Sequence, residues 1–407
     1  MSAVQVKQLF PTYHSSDRTE FRLDNNEVYL SSFRLANIQP KPSAGIAYQP
    51  LVGCGSLFKS VTLYSGATPI EEARNVHELL AFEQLRSSNQ VALDLQHALN
   101  GTIWGGWKVG GYNSVKVEKI EYGSTQASAK PDDTAVITAG ATLNLQSVFG
   151  FLRSDPVCPA IPNLRIVIEW RTGDPVNVFG GASAAITYDD IQAPVLFVDA
   201  VRSPALLKKV KQKNFTVPYF VNEFDRVRIT AAPADDVQDD TIRLSAFRGK
   251  FVNRMLMVNV PEYTASHADN VMKKDASIAM AREKFNVRVN GRNMFALGGV
   301  DSQQKKLSLL SSTYGGINVP EGTQFWDLES RAESFLHESN VDNLRGKMSY
   351  GGWVLGDRVS EMEIVYERYG TGVAAANNLR LAFYLDVWGE VAKQLTVSGE
   401  KVVVSYA

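Results

Sequence analysis

Hydrophobic and polar positions alternate along much of this chain. In Asn163–Trp170 the apolar residues Leu164, Ile166, Ile168 and Trp170 stand at every second position, the period of a strand with one buried face. Asn378–Leu385 repeats the pattern with Leu379, Leu381, Phe383 and Leu385, a little over half the chain length further on. Leu57–Tyr64 and Phe251–Val258 form a second such pair at a similar separation. A strand unit that recurs once near half-length predicts two copies of one β-domain. Shorter alternating runs fill the intervals: Phe21–Leu23, Val28–Leu30, Phe33–Leu35, Val195–Val198, Val227–Ile229 and Ile242–Leu244. Turn chemistry separates them. Asn290-Gly291 follows Phe285–Val289 and is the dipeptide of a two-residue hairpin. Ser398-Gly399 divides Gln394–Val397 from Val402–Val404.

Two stretches change to helical spacing. Pro69 stands where a helix can begin and Glu71-Glu72 suit its positive end. Val76, Leu79, Leu80, Phe82 and Leu85, then Val91, Leu95 and Leu99, recur three and four apart. The spacing predicts a helical insertion over about 69–99. A second is expected over about 266–284, with Ser266 as its cap. Residues 1–18 show no clear period and read as a loose N-terminal arm. Residues 203–213 read as a linker carrying Lys208, Lys209, Lys211 and Lys213. The domain boundaries are then 1–18 for the arm, 19–202 for the first domain, 203–213 for the linker and 214–407 for the second. Many short strands without alternating helices argue for sandwiches or jelly rolls rather than a parallel sheet.

Length and composition agree with two domains. The chain has 407 residues, of which 44% are hydrophobic, enough for a core in each half. Net charge is −1, from 42 basic and 43 acidic residues, which excludes a global polycation built to coat nucleic acid. Cys54 and Cys158 are too few for a disulfide framework or a zinc set, so both are expected as ordinary thiols in a reducing compartment. Met1–Gln8 has no signal-peptide core, and no apolar run approaches the ~20 residues of a membrane helix. The expectation is a soluble product with no signal peptide and no transmembrane segment.

Candidate chemistry is sparse. His14, His77, His97, His267 and His337 do not pair at metal-ligand spacing. Gly105-Gly106-Trp107-Lys108 lacks the form of a phosphate-cradling loop, and no Gly-x-Ser-x-Gly elbow occurs. Asp235–Asp240 is crowded with carboxylates but lacks the glycine and distal glutamate of a calcium loop, and reads as a solvated turn. Glu361 and Glu363 have a spacing compatible with glycoside chemistry, and read more simply as the polar face of a strand. No catalytic residue, cofactor or metal is expected.

The order of several weak motifs carries a resemblance. Thr19–Leu23 with Ser31–Leu35, Ser56–Leu63 followed by Pro69–Glu72, and Leu145–Leu152 leading to Pro162–Ile166 resemble stretches of the double jelly-roll major capsid proteins of adenoviruses, tectiviruses, virophages, polinton-like viruses and large DNA viruses. The resemblance implies an all-β chain with minor helical insertions, folded as two tandem eight-stranded antiparallel jelly rolls side by side. It implies a non-enzymatic subunit whose homotrimer forms a pseudo-hexameric capsomer and tiles an icosahedral shell. The implied partners are further copies of the chain, neighbouring capsomers, and penton and minor capsid proteins, with no small-molecule substrate. The implied location is the virion, after synthesis in the host cytosol or nucleus. Segments 101–112 and 311–326, with Trp104, Trp107, Tyr112, Tyr314, Phe325 and Trp326, read either as loops between subunits or as covers for their own roll. Lys208, Lys209, Lys211 and Lys213 read either as an inward patch in weak contact with genome or internal membrane, or as a solvated linker. The alternative for the whole chain is a two-domain β-sandwich that binds or cleaves carbohydrate, since jelly rolls host that chemistry too.

Overall fold

The computed structural model describes residues 4–41, 53–80, 141–171, 190–201, 205, 208, 214–229, 237–261, 283–314, 350–369 and 383–407, apart from residues 26, 39, 77, 78, 159, 297 and 302. Among the described residues the first half contains eight principal strands: β1 (Val4–Leu9), β2 (Arg18–Arg22), β3 (Arg34–Ile38), β4 (Phe58–Ser65), β5 (Thr68–Arg74), β6 (Ala141–Asn144), β7 (Leu164–Trp170) and β8 (Val195–Val201). All neighbours pair antiparallel, in two sheets ordered β1-β8-β3-β6 and β2-β7-β4-β5. Short bridging strands extend their edges, among them Val28–Leu30, which continues the line of β3 along β8.

The second half repeats this order. Its strands are β9 (Asn214–Ile229), β10 (Val237–Arg243), β11 (Phe251–Pro261), β12 (Glu283–Val289), β13 (Arg292–Asn293), β14 (Tyr350–Arg358), β15 (Met362–Tyr369) and β16 (Phe383–Ser398). The sheets run β9-β16-β11-β14 and β10-β15-β12-β13, with β17 (Lys401–Tyr406) added to β16. Counted within each half, both rolls read 1-8-3-6 and 2-7-4-5, the jelly-roll arrangement. The chain is two tandem eight-stranded jelly rolls. One compact unit holds the described residues up to Val221 together with Lys393–Ala407, and the other is built from Asn222–Ala392.

The alternation of buried and exposed residues locates each core. In β7, Leu164, Ile166, Ile168 and Trp170 are buried while Glu169 is exposed. Trp170 packs against Phe58 at 5.0 Å and donates its indole N–H to Thr19 Oγ1 at 2.8 Å. In the second unit Phe285, Phe295 and Trp353 form an aromatic cluster with centroids 6.0–6.4 Å apart. α1 (Gly150–Ser154) is a short helix of the first unit.

Several expectations are corrected. The segments matched in sequence are not topological counterparts. Leu164–Trp170 is the seventh strand of its roll, whereas the segment from Phe383 is the eighth of the other. Leu57–Tyr64 gives the fourth strand, whereas Phe251–Val258 lies in the third. Period-2 patterning specifies a buried face and nothing more, so any two such strands look alike. Residues 4–9, expected in a loose arm, are β1, paired with β8 along its whole length. Val4 and Val6 are exposed, so backbone pairing rather than burial holds this edge strand, and no burial signature marks it. Pro69 and Glu71-Glu72 lie in β5, not in a helix. Proline is tolerated there because β5 is an edge strand. Helical structure starts at Val76, and the expected insertion from 81 to 99 lies outside the described residues. The second insertion lies outside them up to residue 282, and Glu283 and Lys284 belong to β12. Val237–Asp240, read as a solvated turn, begins β10. The Asn290-Gly291 hairpin stands as expected, with both residues at positive φ.

Gly150 shows how closely the segments of the first unit approach. A Cβ built there would lie 1.8 Å from the carbonyl oxygen of Phe220 in β9. Gly150→Ala is expected to destabilise the chain by about 3 kcal/mol, since backbone must move to admit one methyl. Chemical denaturation of the purified protein checks it.

Candidate functional site

Three polar constructions stand out among the described residues. The first is buried. Glu71 of β5 is almost wholly excluded from solvent and accepts hydrogen bonds from the N–H groups of Gly150 and Phe151, at 2.9 and 2.8 Å. These are orphan donors at the start of α1, which a carboxylate satisfies. Tyr219 of β9 closes the same region. Its hydroxyl donates to the Ile70 carbonyl at 2.9 Å, and its ring meets Phe151 edge-on at 5.1 Å. Burial pushes the Glu71 carboxyl up to about 7, against the pull of the two N–H donors and the charges of Arg153 and Lys393.

The other two constructions are pockets, one in each unit. In the first, the turn after β2 meets the start of β7 in a pocket of about 520 Å³ lined by Arg22, Asp24, Asn25, Gly66, Asn163 and Arg165. Asn25 and Asn163 bond to each other across its floor, Nδ2 to Oδ1 at 3.1 Å and backbone N–H to Oδ1 at 2.7 Å. Glu20, buried beside it, takes Arg18, Arg22 and Arg165 at 3.3, 3.0 and 3.3 Å. Burial raises its carboxyl, but the Arg22 hydrogen bond and the charges of Arg165 and Arg22 outweigh this and hold it below the usual range. Arg165 also stacks 4.5 Å over Tyr64. In the second unit, the turn after β10 meets the start of β15 in a pocket of about 420 Å³ lined by Arg243, Ser245, Arg248, Ser360 and Glu361. Asn290 orders its rim by accepting from Ser360 N–H and Oγ, at 2.8 and 2.6 Å.

The residues singled out from sequence fare differently. Trp104, Trp107, Tyr112, Phe325, Trp326, Lys209, Lys211 and Lys213 lie outside the described residues. Lys208 is exposed at a helical position. Tyr314 ends α2 (Gln303–Tyr314), so residues 311–314 are helix where a loop was expected. Buried Leu310 and the Tyr314 ring lie against Gly352 of β14, and Arg254 stacks over Tyr314 at 4.6 Å. A Cβ on Gly352 would come within 2.9 Å of both side chains, which would have to shift to admit it. Glu363 is held by Arg243 and Arg288, while Glu361 lines the pocket. His14 bonds to Thr19 Oγ1 and the Ile191 carbonyl, and no His, Cys, Asp and Glu cluster fit for a metal occurs among the described residues. Cys54 and Cys158 are buried free thiols. No helix among the described residues is long and apolar enough to cross a membrane. Sequence reasoning missed Glu71, read as a helix start, and both pockets, whose residues are far apart along the chain. The repeated Arg-Leu at the end of β2 and of β10 was the available signal.

No protein-family model matches the chain, and no curated protein matches it. Solved structures do. PBCV-1 VP54, in a crystal structure fitted into a cryo-EM reconstruction of the virophage Sputnik, aligns over 100% of this chain and 98% of its own with a TM-score of 0.63 at 10% identity. A protein in the 3.5 Å cryo-EM structure of Sputnik itself aligns over 99% of this chain and 88% of its own, with a TM-score of 0.58 at 9% identity. The mavirus major capsid protein aligns over 98% and 91%, with a TM-score of 0.55 at 8% identity. The match therefore spans both rolls, and the fold is that of double jelly-roll major capsid proteins.

The raised Glu71 pKa carries a sign. The folded chain holds this proton more tightly than the unfolded chain, so the group's contribution to stability is complete below about pH 4.5 and is lost as pH rises through about 7. Thermal midpoints across that window are expected to show a falling component that Glu71→Gln abolishes. The variant itself should lose about 1–3 kcal/mol, because one buried N–H no longer has its acceptor.

Proposed function

We propose that this chain is the major capsid protein of an icosahedral DNA virus, acting as a structural subunit and not as an enzyme. The observation that carries the reading is the repeated 1-8-3-6 and 2-7-4-5 strand order in one chain, aligned from end to end with proteins described as capsid components. Two similar rolls per chain give six in a trimer. Three subunits around a threefold axis then present a pseudo-hexagonal outline, which a closed symmetric assembly can repeat over a shell. The expected partners are two further copies, neighbouring capsomers, and penton and minor capsid proteins. The expected location is the virion.

In this reading Trp104, Trp107 and Tyr112, with Phe325 and Trp326, belong to contacts between subunits, whereas Tyr314 covers its own roll. Aromatic anchors dominate interface energies. The lysines at 208, 209, 211 and 213 form an inward patch.

Sedimentation of the purified protein is expected to give a particle of three chain masses, and negative-stain images a pseudo-hexagonal outline. Trp104→Ala with Trp107→Ala should weaken that trimer by at least tenfold in dissociation constant. A monomer retained on a polysaccharide column would favour the carbohydrate-binding alternative instead.

A further inference from the structure

Each roll holds one arginine in the same way at the same place in its topology. Arg22 is the last residue of β2, the second strand of its roll, and Arg243 is the last residue of β10, the second strand of the other. Each donates Nε to a buried glutamate at 3.0 Å, Arg22 to Glu20 and Arg243 to Glu363. Each glutamate accepts a second guanidinium through Nη1, from Arg165 at 3.3 Å and from Arg288 at 3.4 Å. The next residue in each case is a buried leucine whose N–H is tied to the seventh strand, Leu23 to the Leu164 carbonyl at 2.9 Å and Leu244 to the Met362 carbonyl at 3.0 Å. The two arginine side chains are nevertheless 69% and 77% exposed, each at a pocket.

An Nε tether orients a guanidinium and leaves its two Nη amino groups as a fork, the geometry that takes a phosphate or carboxylate bidentately. Around the first pocket Arg18, Arg22 and Arg165 face Glu20 and Asp24, and around the second Arg243, Arg248 and Arg288 face Glu361 and Glu363. Each leaves one positive charge in excess. The exposed arginine side chains show that access is open, and the turns beside them are tight: Gly66 lies in the β4–β5 turn and Asn290-Gly291 forms the β12–β13 turn. One excess charge binds a single small anion weakly. The same seat built twice in one chain suits a polymer whose charge repeats, since each contact raises the effective concentration for the next.

We propose that the Arg22 and Arg243 pockets are phosphate seats, one per roll, through which this protein holds the phosphodiester backbone of nucleic acid without reading sequence. The choice of nucleic acid rests on the reading of the chain as a shell subunit; the seats themselves rest on their geometry. Titration of the purified full chain with a short fluorescein-labelled DNA duplex at several salt concentrations tests it. Arg22→Gln and Arg243→Gln are each expected to reduce the slope of log K against log salt by about one, and together by about two. Glu20 retains Arg18 and Arg165, and Glu363 retains Arg288, so the folds should hold. If the Gln variants do not fold, Arg22→Lys with Arg243→Lys should keep the slope while losing at least threefold in affinity, because the charge stays and the fork goes. An unchanged slope in the double Gln variant, unchanged affinity in the Lys variant, or no binding by the parent protein would overturn the proposal. So would arginine-dependent binding to phosphatidylserine vesicles in the absence of DNA binding. Sedimentation of the same samples separates the two readings: intact trimers that ignore DNA reject the seats and leave the shell subunit standing, whereas a parent protein without trimers counts against the shell subunit.

Discussion

Each roll depends on its first strand pairing with its last. β1 lies beside β8 over six residues, Val4 opposite Val201 to Leu9 opposite Leu196, although nearly two hundred residues of chain intervene. β9 lies beside β16 in the same manner. Once the ends are joined, the third strand is placed on the other side of the eighth and the sixth beside the third. The remaining four strands form the opposing sheet. Such pairings are non-local, so loop closure is completed before the hydrogen bonds are gained. The arrangement is stable because strands such as β2, β4, β7 and β8 also bury a face, which offsets that cost.

That topology sends successive connections to alternating ends of a roll. The second-to-third, fourth-to-fifth and sixth-to-seventh connections are the ones that meet at each pocket. Those at Gly66 and Asn290-Gly291 are two-residue turns, while the β6–β7 connection, residues 145–163, is longer and carries α1. The long intervals of sequence fall in the other set, between β5 and β6, β7 and β8, β11 and β12, and β13 and β14. A jelly roll thus separates a trimmed end, where side chains from three connections can be positioned against each other, from an end free to accept insertions. Glu71 and Gly150 show the cost of tight packing within the first unit. A buried carboxylate is tolerated because two N–H groups and nearby positive charge meet it, and glycine is required where the Phe220 carbonyl comes closest.

How much of this was legible follows from what one-dimensional patterning can encode. Leu164, Ile166, Ile168 and Trp170 announce a strand and its inner face, and Asn290-Gly291 announces a hairpin, because both signals are local. Strand identity is not local: the seventh strand of one roll resembles the eighth of the other, since both need the same alternation. β1 was illegible because its valines face outward and its stability comes from backbone pairing. β5 was misread because Glu71 looks like a dipole-compensating acid when it is a buried acceptor for residues near 150. The glutamate-held arginines bring together residues more than a hundred positions apart, as with Arg165 and Glu20 or Arg243 and Glu363, so no spacing rule could show them.

The two arginine constructions agree in outcome and differ in parts. In the first roll the glutamate sits on the second strand, two residues before the arginine it holds, and the second guanidinium comes from the seventh strand. In the second roll the glutamate is on the seventh strand and the second guanidinium comes from β12, the fourth. A repeat that merely preserved a structural ion pair would keep the same residues at the same positions. An ion pair whose arginine is mostly exposed is moreover a weak source of stability, because solvent screens its attraction. Strand order alone therefore does not account for the likeness. A requirement for one oriented, solvent-facing guanidinium at the trimmed end of each roll accounts for it, because such a requirement constrains where the fork points and leaves the supporting residues free.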